Sequence, residues 1–148
     1  MPDPDHLVQF RRRPPAVSPD SLRRFAGRLR REVARGRVFS CLITGDREMR
    51  ALNQRFLGRP YPTDVLSLPA AGPRGFLGDM AISLARARRQ AREQGHTIEE
   101  EIRILMLHGL LHLVGMDHAD DGGRMGRAET RWRKRLGLPA GLIERARS

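Results

Sequence analysis

The sequence predicts one α+β domain over residues 1–148, a small mixed sheet of about four strands covered by helices. Short runs rich in β-branched and aromatic residues alternate with stretches of helical periodicity. A chain of 148 residues is long enough to bury a core and suits a single domain. Near residue 105 the apolar positions surround a helix on all sides, which predicts that this helix forms the buried centre and carries the histidines at 108 and 112.

The first half of the chain predicts alternating strands and helices. Ser18 and Pro19 are typical of an N-cap and a first helical residue. Gly36 is typical of the residue that ends such a helix. The predicted elements are a strand over 6–10, a helix over 18–36, a strand over 38–44 and a short helix over 46–56.

The second half predicts two more strands followed by three helices. The strands cover 63–68 and 77–83, and a basic helix covers 83–94. Thr97 and Glu100 have the spacing of a capping box, which starts the central helix. A last helix is expected over about 120–136, with these side chains packed inward: Met125, Ala128, Trp132 and Leu136.

The composition limits the class of protein and its partners. A net charge of +11 indicates a polyanionic partner, and nucleic acid is the expected one. Cys41 is the only cysteine, so no intrachain disulfide can form, which fits a reducing cytoplasm. The chain has neither a secretory signal nor a run of 18 apolar residues, so no membrane partner is expected. Aromatic residues are few, which argues against an extended base-stacking platform.

Three of the five histidines fall in one short segment with the spacing H-x3-H-x5-H. His108 and His112 share a helix face, because residues i and i+4 lie one above the other. Gly115 lets the chain leave the helix, so His118 can return towards the same point. Three imidazoles with an open fourth position are typical of a catalytic zinc. A single histidine here would instead suggest a core residue, but burying two imidazoles in an apolar helix is costly without a metal.

Zinc bound by three imidazoles activates water for attack on a carbonyl or a phosphoryl centre. The spacing alone does not choose between these reactions. In the H-E-x-x-H metalloproteases the residue after the first histidine is the glutamate general base, whereas here it is Gly109, which cannot accept a proton. Gly109 indicates a close backbone approach, either to substrate or to a packed strand.

These residues also resemble a known family. The segment 108–118 is similar to the H-G-x-L-H-L-x-G-x-D-H signature of the YbeY family, the bacterial endoribonucleases and rRNA maturation factors. A second block, L-N at 52–53 with P-T-D-V-L-S at 62–67, resembles the family's next segment, and L-G-D-M-A-I-S at 77–83 resembles a third. The resemblance covers about residues 38–132 in the family's order and spacing.

The resemblance implies a zinc-dependent endoribonuclease that acts on single-stranded RNA. It implies a role in maturing ribosomal RNA, especially the 3′ end of the small-subunit RNA, and in ribosome quality control. The expected partners are therefore ribosomal RNA or the small subunit, and no DNA. The family's three ligands for one Zn²⁺ carry over to His108, His112 and His118.

The sequence also offers candidate residues for RNA binding and for the catalytic base. The family usually has an activity-linked arginine where this chain has Leu57, so Arg55 and Arg59 are the candidates for RNA binding. Asp117 and Asp79 are candidates for the catalytic base, although Asp117 is better suited to orient a ligand imidazole.

Two other functions remain open. A zinc peptidase shares the imidazole site but is disfavoured by Gly109 and does not account for the net charge. A non-catalytic RNA-binding factor in ribosome assembly is favoured by Leu57 at the family's arginine position.

Overall fold

A computed structural model describes residues 7–12, 16–71, 74–117 and 121–146. Its strands are β1 (Val8–Phe10), β2 (Val38–Thr44), β3 (Val65–Pro69) and β4 (Phe76–Ser83). Its helices are α1 (Pro19–Glu32), α2 (Asp46–Leu57), α3 (Leu84–Gln94), α4 (Ile98–Leu113), α5 (Arg124–Leu136) and α6 (Leu142–Ala146).

The four strands form one mixed sheet in the order β1-β2-β4-β3. β2 pairs in parallel with β1 and with β4, whereas β3 pairs antiparallel to β4. Successive side chains of a strand point to opposite faces. Met80 therefore faces α4 on one side, while Ala81 packs with Met49 of α2 on the other. The prediction of an α+β domain with a small mixed sheet is confirmed.

Helix α4 is the buried centre of the domain, as predicted. The Thr97 hydroxyl accepts the Glu100 backbone N–H, and the Glu100 carboxylate accepts the Thr97 N–H, which completes the predicted capping box. Most of the helix is buried, His108 included. Gly115 has a φ of +99°, so the chain turns away just after the helix as glycine permits.

Two helix boundaries differ from the predictions. α1 ends at Glu32, before Gly36, because Arg35 and Gly36 both have positive φ and cannot continue a right-handed helix. α5 begins at Arg124, later than predicted, because Gly122 and Gly123 both have positive φ and cannot belong to a right-handed helix. Just before the helix, the Asp121 carboxylate accepts the backbone N–H groups of Gly123 and Met125.

The short helix α6 was not predicted. It contains five residues, too few to show a clear helical period. Within the four described ranges, no helix is both long and apolar enough to cross a membrane.

Candidate metal centre

Helix α4 presents His108 and His112 to one cavity. They lie one helical turn apart, and their ring centroids are 4.9 Å apart with the planes inclined at 74°. Both side chains line a cavity of about 750 Å³ beside strand β3. His108 is buried and His112 is half-buried. The prediction that these two imidazoles share one face is therefore confirmed.

A buried carboxylate that was not predicted from the sequence holds His108 in place. Glu129 Oε2 on α5 lies 2.6 Å from His108 Nδ1 and accepts a hydrogen bond from it. Glu129 Oε1 accepts the backbone N–H of Ile143 at 2.9 Å. Glu129 is 1% exposed, so its orientation is fixed by these two bonds rather than by solvent.

The spacing of the inward-facing residues of α5 could have identified Glu129. Glu129 stands four residues after Met125 and belongs to the inward face of the predicted helix. A carboxylate on a buried face needs a partner, and an imidazole is a suitable one.

The Glu129–His108 pair suits a metal ligand. Metal-binding histidines usually donate their second ring N–H to a carboxylate, which fixes the tautomer and makes the other nitrogen a better ligand. With Nδ1 bonded to Glu129, Nε2 is the nitrogen of His108 that would bind a metal. The third predicted ligand, His118, lies outside the described residues. Within those residues, no group of three or more His, Cys, Asp or Glu side chains could hold a metal ion.

The structure separates the two candidate bases. Asp117 is exposed and lines the cavity with the histidines. Asp79 lies on the sheet face opposite Met80, away from α4, where its carboxylate accepts a hydrogen bond from Ser40 Oγ. Asp79 does not line the cavity, so only Asp117 stays a candidate.

The two candidate arginines are separated as well. Arg59 lines the cavity, whereas Arg55 does not and places its guanidinium carbon 5.2 Å from the centre of the Phe56 ring. Leu57, at the position where the resemblance leads us to expect an arginine, also lines the cavity. Of these three residues, Arg59 and Leu57 therefore line the cavity, the first with a cationic and the second with an apolar side chain.

Gly109 is explained by packing between α4 and the sheet. A Cβ atom at this position would lie 3.0 Å from Met80 Sδ and 3.0 Å from Val65 Cγ2. In addition, Ser67 Oγ donates a hydrogen bond to the Gly109 carbonyl at 2.9 Å. Of the two interpretations of this glycine, the structure supports close packing against the strands. That packing sets how far the histidines stand from β3.

The cavity wall opposite α4 is fixed by the segment between α2 and β3. Asn53 is 1% exposed, and its Nδ2 donates to the Tyr61 carbonyl at 2.8 Å. Asp64 accepts hydrogen bonds from the Val65 backbone N–H at 2.7 Å and from Gln90 Nε2 at 3.1 Å. Asn53, Thr63 and Asp64 from the L-N and P-T-D blocks thus line this wall.

His96, the other histidine in the described part of the chain, does not line the cavity. His96 Nε2 is hydrogen bonded to Glu101 Oε1, at the start of α4, and His6 lies outside the described residues.

Cys41 is buried in β2, and this burial raises the pKa of its thiol above the usual range, so it is an inert core residue as expected.

Comparison with known proteins agrees with the motifs. The family model for Endoribonuclease YbeY matches residues 21–137. A relative named Endoribonuclease YbeY from Solibacter usitatus is 60% identical over 141 residues, covering 95% of each chain. One of the same name from Koribacter versatilis is 44% identical over 140 residues, covering 94% of this chain and 91% of its own.

A solved structure supports the fold. The solution structure of TM1509 from Thermotoga maritima matches with a TM-score of 0.59 and 22% identity, covering 87% of this chain and 88% of that chain. Together with the histidine helix and the three sequence blocks, the family model and the two relatives show that the chain belongs to the YbeY family.

Proposed function

We propose that this protein is a zinc-dependent endoribonuclease that cleaves single-stranded RNA in the cytoplasm. Its substrates would be ribosomal RNA precursors, particularly the 3′ end of the small-subunit RNA, and its activity would serve ribosome maturation and quality control. The observation that carries the proposal is the buried Glu129 bonded to His108, one turn from His112, at an open cavity in a chain of this family.

Each residue of the site has a role in this proposal. His108, His112 and His118 would hold one zinc ion, and Glu129 keeps the His108 ring in the orientation that binding requires. The ion would supply Lewis-acid chemistry and lower the pKa of water towards neutrality. Asp117 lines the same cavity and is placed to take a proton or to orient a ligand imidazole.

RNA is a better substrate than a peptide for this cavity. Gly109 stands where the metalloprotease glutamate would be, and its surroundings have no room for a larger side chain without displacement. Arg59 in the cavity wall can pair with a phosphate, and the net charge of +11 favours a polyanion. The relatives are named endoribonucleases.

The test is cleavage of a single-stranded RNA oligonucleotide by the purified, zinc-loaded protein. Wild type should cleave it and should stop when a chelator removes the metal. His108→Ala should lose both zinc and cleavage. His96→Gln is the matched control, because its amide can still donate to Glu101 and it stands outside the cavity. Equal cleavage by His108→Ala and wild type would overturn the proposal.

A non-catalytic role in ribosome assembly is the second candidate, favoured by Leu57 in the cavity wall. Complementation of a deletion strain separates the two. A variant that keeps zinc but cannot cleave RNA should leave the small-subunit RNA ends unprocessed if the nuclease is required. Normal ends in that strain would favour the assembly factor.

A further inference from the structure

Three large apolar side chains are exposed in one short segment beside the cavity. Phe56, Leu57 and Tyr61 are 50%, 46% and 54% exposed, and they are the exposed large hydrophobic residues of the described chain. Single exposed apolar residues are common on protein surfaces. Leu57 and Tyr61 of this cluster line the cavity, where exposed apolar side chains indicate a binding surface, whereas Phe56 does not line it.

Tyr61 is the member of this cluster best placed to bind a ligand. It lines the same cavity as His108 and His112. Its carbonyl accepts the hydrogen bond from the buried Asn53 side chain at 2.8 Å. Its neighbours are Pro60 and Pro62, which restrict the backbone on both sides. The phenol ring is therefore carried on a fixed backbone while half of it faces solvent.

We propose that Tyr61 forms a base-binding subsite, in which its ring stacks on one unpaired nucleobase of the RNA. This inference rests on the proposed function. Aromatic rings at single-strand sites bind through the face of the base, whereas the bases of a duplex are covered by their neighbours. Arg59 lines the cavity two residues away and can hold the adjacent phosphate.

The subsite would explain how the protein selects single strands with so few aromatic residues. One ring at the cavity edge is not an extended platform, which the composition argues against. Stacking on a single ring also discriminates little between the four bases, because every base has a face on which the ring can stack. The subsite therefore predicts a strong preference for unpaired RNA and a weak preference among bases.

The first test is equilibrium binding of a single-stranded oligonucleotide with phosphorothioate linkages to the zinc-loaded protein. Tyr61→Ala should weaken binding about five- to a hundredfold, and Tyr61→Phe should retain affinity, because stacking needs the ring and not the hydroxyl. Phe56→Ala is the matched control: it removes a ring of similar exposure that does not line the cavity, and it should leave affinity unchanged.

The salt dependence of RNA affinity distinguishes a stacking contact from a phosphate contact. The dependence of log affinity on log salt should keep its slope in Tyr61→Ala and become shallower in Arg59→Ala, since only the second variant loses a phosphate contact. A blunt duplex of the same sequence should bind Tyr61→Ala and wild type equally. Unchanged single-strand affinity in Tyr61→Ala, or equal losses in Tyr61→Ala and Phe56→Ala, would overturn the subsite.

A second readout observes the ring directly. Tyr61 is the only tyrosine in the chain, so 3-fluorotyrosine labelling gives one ¹⁹F resonance to follow. That resonance should shift on addition of single-stranded RNA and stay in place on addition of the duplex. If wild type cleaves RNA while the resonance does not move, the subsite is wrong and the nuclease stands. If the resonance moves but no RNA is cleaved, the subsite stands and the nuclease is wrong.

Discussion

Glu129 links α5 to the candidate metal site through a single buried hydrogen bond to His108. Replacing it with glutamine keeps the shape but removes the charge, and it leaves one acceptor oxygen where the N–H groups of His108 and Ile143 each need one, so the His108 tautomer is held less firmly. Glu129→Gln should weaken zinc binding about 10- to 100-fold, measured by competition with a chelator. Glu32→Gln on α1 is the control, and its affinity should equal wild type. Equal affinities in all three proteins would refute the role given to Glu129.

Gly109 gives a test of the packing between α4 and the sheet. Alanine favours a helix over glycine by about 1 kcal/mol. At position 109, however, the new methyl group would press on Met80 and Val65 at 3.0 Å, and overpacking costs about 1–3 kcal/mol. Gly109→Ala should therefore lower the free energy of unfolding by about 1 kcal/mol in urea denaturation.

Gly27 in the middle of α1 is the matched control for that substitution. A Cβ there would meet only the flexible end of Arg31, at 3.4 Å. Gly27→Ala should raise the free energy of unfolding by about 1 kcal/mol. If Gly109→Ala stabilises the protein as much as Gly27→Ala does, tight packing is not the reason for the glycine.

At the level of single residues, the site residues that could be predicted are the ones that local sequence spacing brings together. His108 and His112 could be placed on one face because four residues make about one helical turn. Glu129 acts across 21 positions of sequence, and its partner depends on how α5 docks on α4. The position of Asp79 outside the cavity could not be predicted either, because strand register decides which sheet face a side chain occupies.

At the level of elements, a buried ionic cluster ties α6 to the start of α4. Glu101 is fully buried and accepts hydrogen bonds from His96 and from two nitrogens of Arg145, at 2.8 and 3.0 Å. Glu101→Gln would leave Arg145 without its ionic partner. Because breaking a buried pair costs about 3–5 kcal/mol, we expect unfolding free energy to drop by about 3 kcal/mol.

Glu99→Gln is the control for Glu101, since Glu99 lies in the same helical turn and pairs with Arg103 at a half-exposed site. Glu99→Gln should lower the free energy of unfolding by less than about 1 kcal/mol, with both variants measured by urea denaturation. Similar losses in the two variants would mean that burial does not strengthen the Glu101 cluster.

Helices and strands with strong local signals were predicted well. Strand β2 covers the residues expected, and the capping box begins α4 where the sequence placed it. α6 escaped prediction because its helical form is held by contacts with distant residues: Ile143 donates to Glu129, and Arg145 binds Glu101. A five-residue helix has little stability of its own.

At the level of the whole molecule, several carboxyl groups make the fold sensitive to acid. Hydrogen bonds lower the pKa of these groups, through Arg28 for Glu32, through the Thr97 backbone for Glu100, through the Met125 backbone for Asp121 and through Arg133 for Glu144. A carboxyl with a lowered folded-state pKa binds its proton more weakly than in the unfolded chain, so protonation favours unfolding.

The stability from these groups is complete above the ordinary carboxyl pKa of about 4 and is lost as pH falls through the lowered values. We expect the urea midpoint to decrease steadily over that acidic range. Glu144→Gln should make this decrease shallower, because one of the titrating groups is gone. A midpoint that is constant or rises on acidification would contradict this assignment.

The proposed metal centre requires that imidazoles bind one metal ion and leave a coordination position open. The most direct measurement is zinc K-edge X-ray absorption on the purified protein loaded with one equivalent of zinc. We expect three imidazole nitrogens and one oxygen from solvent around the zinc, and a loss of imidazole scattering in His112→Ala. A zinc ion bound by four protein donors, or a spectrum unchanged in His112→Ala, would contradict it.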